Sequence, residues 1–230
     1  MCIRDSFIAA DTGMDVLTHA TEAYTSNFAN DYTDGIALQT IKLVFEWLEK
    51  SVKTADPEAR EKMHNASTMA GMAFANAFLG MSHSMAHKIG GVHHTVHGRT
   101  NAILLPYVIR YNGTRPSKTT TWPKYNYWKA DEKFQDIAKM LGLPHSTPEE
   151  AVEAYAKAVY ELGVAVGIKM NFKDQGIDEK AWKDSLHEIA LLAYEDQCSP
   201  ANPRLPMVAD MEEIMADAYY GYAERPGRRK

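Results

Sequence analysis

The histidines of this chain are concentrated in one short stretch. The segment MSHSMAHKIGGVHHTVHG, residues 81–98, contains five of the nine histidines together with a Gly-Gly pair. Neutral imidazole is the commonest protein ligand for metals such as zinc and iron, and a metal site needs several such groups at one point. The clustering therefore predicts a metal site, whereas a single scattered histidine would indicate only an ordinary hydrogen-bonding residue.

Geometry limits which of these histidines can share one ion. In a straight helix the fourteen steps from His83 to His97 would span about 21 Å, whereas nitrogens bound to one metal lie within about 4 Å of one another. We therefore expect the Gly-Gly pair at 90–91 to end the helix and let the chain double back. The alternative pair is His83 with His87, four residues apart on one helical face. Ser84, however, occupies the place of the glutamate in the H-E-x-x-H zinc motif.

A second pair of candidate ligands lies far upstream, in TGMDVLTHATEAY. Asp15 and His19 are four residues apart, so both side chains point the same way on a helix. Asp15 has an alternative interpretation as the carboxylate of a capping box that begins at Thr12. Together the two segments offer one carboxylate and three imidazoles, a set that suits Fe(II) or Zn(II) and leaves positions open for a substrate oxygen.

The bulk composition excludes several classes of protein. The 230 residues are 45% hydrophobic, which is enough for a substantial core. A net charge of −5 and a pI near 6.0 provide no basic face for nucleic acid. Cys2 and Cys198 are too few for a disulfide scaffold, and the sequence has neither a long apolar run nor the layout of a signal peptide. We expect a cytoplasmic protein with no nucleic-acid or membrane partner.

Long windows rich in Ala, Glu, Lys, Leu and Met with helical spacing predict an all-α fold. Start signals such as Asp-Pro and TPEE help to define the boundaries. The predicted helices begin near Thr12, cover about 33–53, begin at Asp56-Pro57, run from TPEE at 147–150 to about Val166, and cover about 179–195 and 207–221. Residues 112–129, rich in Thr, Pro and aromatic side chains, are expected to form a long surface loop.

These motifs resemble those of the iron-containing alcohol dehydrogenases, most closely the C-terminal alcohol dehydrogenase part of bifunctional aldehyde-alcohol dehydrogenases. The matching stretches are TGMDVLTHATEAY, AGMAFANAFLGMSHSMAHKIGGVHHTVHGRTNAILLPYVIRYN and the tail that begins YEDQCSPANPRLPM. They extend over nearly the whole chain from about Ile8 onward. The resemblance implies the all-helical metal-binding domain of the dehydroquinate synthase-like type.

The resemblance also implies roles for individual residues. The metal ligands of the family fall on Asp15, His19, His83 and His97, for Fe(II) or alternatively Zn(II). His87 corresponds to a residue on the nicotinamide and substrate side of the metal that assists proton movement. Tyr32 matches an aromatic position near the mouth of the substrate pocket.

Further expectations concern the activity and the domain organisation. The family oxidises small alcohols to aldehydes, or reduces aldehydes, by hydride exchange with NAD while the metal polarises the substrate oxygen. Its members bind most of the NAD through an N-terminal α/β domain, for which this sequence offers no Gly-rich phosphate loop. The full-length relatives form homo-oligomers or filaments. We expect residues 7–230 to form the helical domain and residues 1–6, MCIRDS, to be an artefactual leader outside the family pattern.

Two other functions are compatible with the same residues. One is a helical metal-dependent hydrolase, in which the ion activates water and His87 is the base. The other is a non-catalytic interaction module that metal binding merely stabilises.

Overall fold

A computed structural model describes residues 3–116 and 128–221 of the chain, with the side chains of residues 3–5 left undescribed. The described part is helical and contains no strand. Its α-helices are α1 (Ile3–Thr25), α2 (Asp31–Thr54), α3 (Pro57–Ala77), α4 (Met81–His93), α5 (His97–Gly113), α6 (Ala130–Met140), α7 (Pro148–Ala165), α8 (Glu179–Tyr194) and α9 (Val208–Tyr220). A short 3₁₀ turn, Ser199–Ala201, precedes α9. None of these helices is long and apolar enough to cross a bilayer.

Local sequence explains two of the helix starts. Asp56 caps α3 by accepting a hydrogen bond from the Ala59 amide at 2.9 Å. Thr147 caps α7 in the same way, with the Glu150 amide donating at 3.2 Å. Proline occupies the first turn of both helices, where its missing N–H costs nothing. Both predicted starts are confirmed.

The predicted helix start at Thr12 is wrong, because α1 passes through this residue without a break. The Thr12 hydroxyl donates to the carbonyl of Ile8 one turn earlier, as a threonine inside a helix does. Buried Ala10, Met14 and Leu17 form an apolar stripe that extends upstream of the expected cap. Asp15 is therefore not needed as a capping residue, and its carboxylate is available for other contacts.

The predicted break at Gly90 and Gly91 is also misplaced. Helix α4 continues through both glycines, and the chain turns at His94, which adopts a left-handed conformation with φ of 55°. The His93 ring anchors the last turn of α4 to α8, stacking on Trp182 and contacting the Ser185 hydroxyl at 2.9 Å. The expected reversal of the chain is confirmed, but it occurs three residues later than predicted.

The loop predicted at 112–129 is shorter than expected at its start, because α5 continues to Gly113. The part of this prediction at residues 117–127 lies outside the described residues. Helix α6 then begins at Ala130.

Helix α5 lies between two hydrophobic cores and is buried along nearly its whole length. Ala102 and Leu105 pack into the first core, with side chains from α1, α2, α3, α6 and α7. Ile103, Leu104 and Val108 pack into the second core, with side chains from α4, α8 and α9. The N-terminus of α5 therefore meets α1 on one side and follows the turn from α4 on the other.

The contact between α5 and α1 requires glycine at one position. A Cβ on Gly98 would lie 2.2 Å from the backbone oxygen of Asp11 and 3.1 Å from the Cβ of Asp15. Because a backbone oxygen cannot move aside as a flexible side chain can, any larger residue must separate α5 from α1.

We predict that Gly98→Ala lowers the free energy of unfolding by roughly 1–3 kcal/mol through this clash. Gly71→Ala is the matched control, since Gly71 lies in α3 with no atom within 4 Å of the added Cβ. The control should stabilise the chain by roughly 0.5–1 kcal/mol, because alanine loses less backbone entropy in a helix. Urea unfolding followed by circular dichroism measures both changes. Equal stability of the two variants would contradict the packing described.

Candidate metal centre

Three helices contribute polar side chains to one cluster, which we call the donor cluster: Asp15 and His19 from α1, His83 from α4 and His97 from α5. Asp15 lies at its centre. One carboxylate oxygen, Oδ1, is 3.7 Å from His83 Nε2 and 3.6 Å from His97 Nε2. The other oxygen, Oδ2, is 3.8 Å from His19 Nδ1. The structure thus brings together all four residues that the resemblance implied.

The spacing of these groups suits a single ion. One ligand atom from each of Asp15, His19 and His83 can be chosen so that all three lie within 4.8 Å of one another. The ring centroids of His83 and His19 are 4.4 Å apart, and those of His83 and His97 are 5.3 Å apart. Ligand atoms about 2 Å from one metal lie within about 4 Å of one another, and the distances from the Asp15 carboxylate oxygens to His83, His97 and His19 fall within that limit. His97 forms the exposed side of the donor cluster, since 43% of its side-chain surface is accessible.

The orientation of His83 is set by Glu22, a residue that the sequence analysis missed. Glu22 Oε2 is 2.6 Å from His83 Nδ1, so the ring donates its Nδ1 proton to this carboxylate. His83 Nε2 then faces Asp15, is fully buried, and has no hydrogen-bond partner among the described residues. A buried ring nitrogen without a partner is rare, and a metal ligand backed by a carboxylate has this arrangement. The residues present therefore fit a metal ion at Nε2.

Glu22 is itself held firmly. Its side chain is 3% exposed and accepts hydrogen bonds from the backbone amides of Gly80, at 2.9 Å, and Ser82, at 2.7 Å. These amides belong to the start of α4, where no residue of the helix can accept from them. A Cβ on Gly80 would lie 3.0 Å from Glu22 Oε1 and 2.7 Å from Asn202 Oδ1, so a larger residue at this position would displace one or both side chains. Glu22 could have been found from its spacing, three residues after His19 on the same face of α1.

Asn101 was missed in the same way. Its side-chain amide donates to Asp15 Oδ1 at 2.8 Å and lies 3.1 Å from His97 Nε2, so it connects α5 to α1 at the donor cluster. Asn101 is fully buried and lies four residues after His97, which places both side chains on one face of α5. The sequence signal was the HGRTN spacing.

Electrostatics favour a cation at this point. Burial lowers the pKa of His19 to about 4, with a further contribution from the nearby His83 ring, so the His19 imidazole is neutral, as a metal ligand must be. Burial alone would lower the pKa of His83, but the Glu22 and Asp15 carboxylates raise it to about 9. Burial opposes ionisation of Asp15, yet the surrounding histidines, His83 above all, hold its pKa below the ordinary value. Two carboxylates therefore attract positive charge to the region around His83.

His87 lies beside the donor cluster and not within it. Its ring stacks on that of His97, with centroids 5.4 Å apart and an interplanar angle of 14°. Its Nδ1 is 3.2 Å from Asp196 Oδ2, and 34% of its side-chain surface is accessible. Of the three histidines on α4, His83 is therefore the one that faces Asp15. The His87 ring centroid lies 6.1 Å from that of His83, but the described ion pair of His87 is with Asp196 and not with Asp15.

Other candidate residues lie further away. Tyr32 is in the first turn of α2 with 85% of its surface exposed, and no described hydrogen bond or ring contact joins it to the donor cluster. His64, His145 and His187 are exposed. Phe74 is an apolar neighbour of the donor cluster, since its ring stacks on that of His19 with centroids 4.6 Å apart.

Comparisons with known proteins identify the family of this chain. The family model described as Fe-containing alcohol dehydrogenase family, C-terminal, matches residues 9–219. The aldehyde-alcohol dehydrogenase of Streptococcus pneumoniae serotype 2 (strain D39 / NCTC 7466) is 80% identical over 224 residues, which are 97% of this chain and 25% of that protein. The NADPH-dependent butanol dehydrogenase of Clostridium saccharobutylicum is 42% identical over 93% of this chain and 51% of its own length.

The fold of this chain also matches that of a solved structure. The solved structure of the alcohol dehydrogenase from Oenococcus oeni matches with a TM-score of 0.82 and 33% identity, covering 93% of this chain and 52% of that one. This chain therefore spans a quarter of the aldehyde-alcohol dehydrogenase and about half of the other two relatives. The resemblance and the all-α fold predicted from the sequence are confirmed: the chain belongs to the Fe-containing alcohol dehydrogenase family and corresponds to its helical C-terminal domain.

Proposed function

We propose that this chain is the metal-binding part of an NAD-dependent dehydrogenase that interconverts a short-chain primary alcohol and its aldehyde. The observation that carries the proposal is His83 Nε2, a buried nitrogen that faces Asp15 and has no hydrogen-bond partner among the described residues, on a ring whose Nδ1 is bound to Glu22. Membership of the alcohol dehydrogenase family supports the reaction type. The name of the S. pneumoniae relative supports a role within a bifunctional aldehyde-alcohol dehydrogenase.

Asp15, His19, His83 and His97 would hold the ion, with Fe(II) as the first choice and Zn(II) as the alternative. When bound, the metal supplies a Lewis acid that polarises the substrate oxygen. Glu22 fixes His83 from behind, and Asn101 holds His97 and Asp15 together.

His87 is the residue we assign to the proton. Oxidation of an alcohol releases a hydride from carbon, which NAD accepts, and a proton from oxygen. The His87 ring lies against the exposed ligand His97 and is itself partly accessible, so it can exchange that proton with solvent. We place His87 on the nicotinamide side of the site.

Two aromatic residues are assigned to the pocket for the carbon chain. Phe74 packs on His19 and offers an apolar surface next to the donor cluster, as a short alkyl chain requires. Tyr32 is assigned to the mouth of the pocket. We also infer that the assembled enzyme is cytoplasmic and forms homo-oligomers or filaments.

The metal ligands are tested by anaerobic titration of the chain with Fe(II) in a calorimeter. We expect one ion per chain, and we expect His97→Ala to weaken binding by more than about 100-fold, since even loss of an outer partner of a ligand costs about 10- to 100-fold. His87→Ala is the matched control, because this neighbouring histidine lies outside the donor cluster and should leave the affinity within a few-fold of the original. Loss of Fe(II) binding with His87→Ala and not with His97→Ala would contradict the ligand assignment.

The role of Glu22 is tested by Glu22→Gln, which keeps the size of the side chain but removes its charge. We expect Fe(II) affinity to fall by about 10- to 100-fold, because the His83 ring loses the carboxylate that orients it and raises its basicity. Glu46→Gln is the control, since Glu46 is exposed on α2 and only 3.9 Å from Lys42 in a surface ion pair. Calorimetry at fixed pH compares the two. An unchanged affinity in Glu22→Gln would show that His83 needs no carboxylate behind it.

The reaction type is tested on the chain loaded with Co(II), whose visible spectrum reports ligands at the ion. We expect 1-butanol to shift this spectrum. In the metal-loaded chain with 1-butanol and NAD, we expect His87→Ala to lower the rate of NADH formation by about 100-fold.

The two alternative functions predict other outcomes. Ester turnover without any nucleotide would favour a hydrolase, and unfolding on metal removal without a response to 1-butanol or NAD would favour a non-catalytic module.

A further inference from the structure

The turn after α8 places a buried carboxylate against His87. Asp196 Oδ2 lies 3.2 Å from His87 Nδ1, and only 7% of the Asp196 side chain is exposed. This pair joins α4 to a segment more than 100 residues later in the sequence. Asp196 lies in the tail that begins YEDQCSPANPRLPM, but the resemblance assigned it no role, and it is not one of the residues of the donor cluster.

Besides His87, two groups hold the Asp196 carboxylate in place. The Lys88 ammonium lies 2.8 Å from Oδ2, and the Cys198 amide donates to Oδ1 at 3.0 Å. The turn is fastened to α4 by Ser199, whose hydroxyl contacts the Ser84 hydroxyl at 3.0 Å. Burial alone would raise the pKa of Asp196, but Lys88, the Cys198 amide and His87 together keep it below the ordinary value. The group that faces His87 is therefore an ionised and immobile carboxylate.

An ionised carboxylate can only accept hydrogen bonds, so the ring nitrogen that faces it must carry a proton. In neutral His87 this leaves Nε2 as the basic nitrogen. We propose that Asp196 is the positioning residue for His87, fixing the ring in the Nδ1–H tautomer so that Nε2 is the atom that takes the proton from the substrate side. This inference rests on the proposed function, in which His87 handles the proton.

A second metal site is the competing explanation for the same groups. Ligand atoms of His87, Asp196 and Cys198 lie within 4.8 Å of one another. The Lys88 ammonium, however, already binds the Asp196 oxygen that faces His87. Burial, with the Asp196 charge, raises the pKa of the Cys198 thiol to about 12, which disfavours the thiolate that a metal requires. The observations therefore favour positioning over metal binding.

The test is the tautomer of His87, read from long-range ¹H–¹⁵N correlation spectra of the histidine-labelled chain at about pH 8.5, roughly two units above the ordinary histidine pKa. His87→Gln identifies the resonances. We expect Nδ1 to carry the proton in the unmodified chain, and Asp196→Ala to replace this single tautomer with a mixture. Lys88→Gln is the matched control. Like Asp196→Ala, it breaks the ion pair between Lys88 and Asp196, but it leaves the Asp196 carboxylate against His87. It should therefore keep the Nδ1–H tautomer.

Three results would overturn the proposal. A proton on Nε2 in the unmodified chain would do so without any variant, even if Asp196→Ala fails to fold. An unchanged tautomer in folded Asp196→Ala would show that the carboxylate is only a structural tie. A thiolate-to-metal absorption band on addition of Cd(II), lost in Cys198→Ser, would assign the cluster to a metal. The tautomer is measured without added metal or substrate, so failure of the Fe(II) titration and failure of this inference are distinguishable.

Discussion

The carboxylate of Glu22 is the contact on which the candidate site depends. It is buried between α1 and α4, accepts from the first amides of α4, and binds the Nδ1 of His83. A buried carboxylate without such partners would be strongly destabilising, so the charge, the helix start and the histidine must be assembled together. The N-terminus of a helix also stabilises negative charge through its dipole. One side chain therefore fixes both the start of α4 and the direction of a candidate metal ligand.

Close backbone packing complements this interaction. Gly98 lets α5 approach α1 so that Asn101 reaches Asp15, and Gly80 leaves room for Glu22 at the start of α4. Since α5 is shared by both hydrophobic cores, the donor cluster lies where the two cores meet. A site built on helix surfaces of this kind is held by the core itself and does not depend on a loop.

The solvent exposure of the histidines increases from the buried interior of the site to its edge. His83 is 1% exposed and bound to Glu22, whereas His97 and His87 are stacked on each other at the accessible side. Ligands in the interior suit an ion that stays in place, and accessible rings suit exchange with substrate and solvent. Each of these histidines contacts a side chain of its own: Asn101 lies 3.1 Å from His97 Nε2, and Asp196 lies 3.2 Å from His87 Nδ1. This division is the one expected under the proposed function, in which the ion would stay bound and a proton would leave at every turnover.

The sequence by itself determined the helical class, the capped starts of α3 and α7, and the candidate ligands on α1, α4 and α5. These follow from local rules: helical periodicity, capping chemistry and the four-residue spacing of Asp15 and His19. It also required a chain reversal between His83 and His97, because no straight helix could bring them together. The partners Glu22 and Asn101 were within reach of the same spacing rules, although their roles depend on what they face.

Only the tertiary structure decided where the chain turns and which groups face each ligand. Two glycines inside a helix cost about 1 kcal/mol each relative to alanine, so local propensity placed the break there. Packing of His93 against Trp182 and Ser185 outweighs that cost and moves the turn to His94. Asp196 lies more than 100 residues from His87 in the sequence, and no local pattern relates residues that far apart. Burial and long-range hydrogen bonds, which exist only in the folded chain, decided these features.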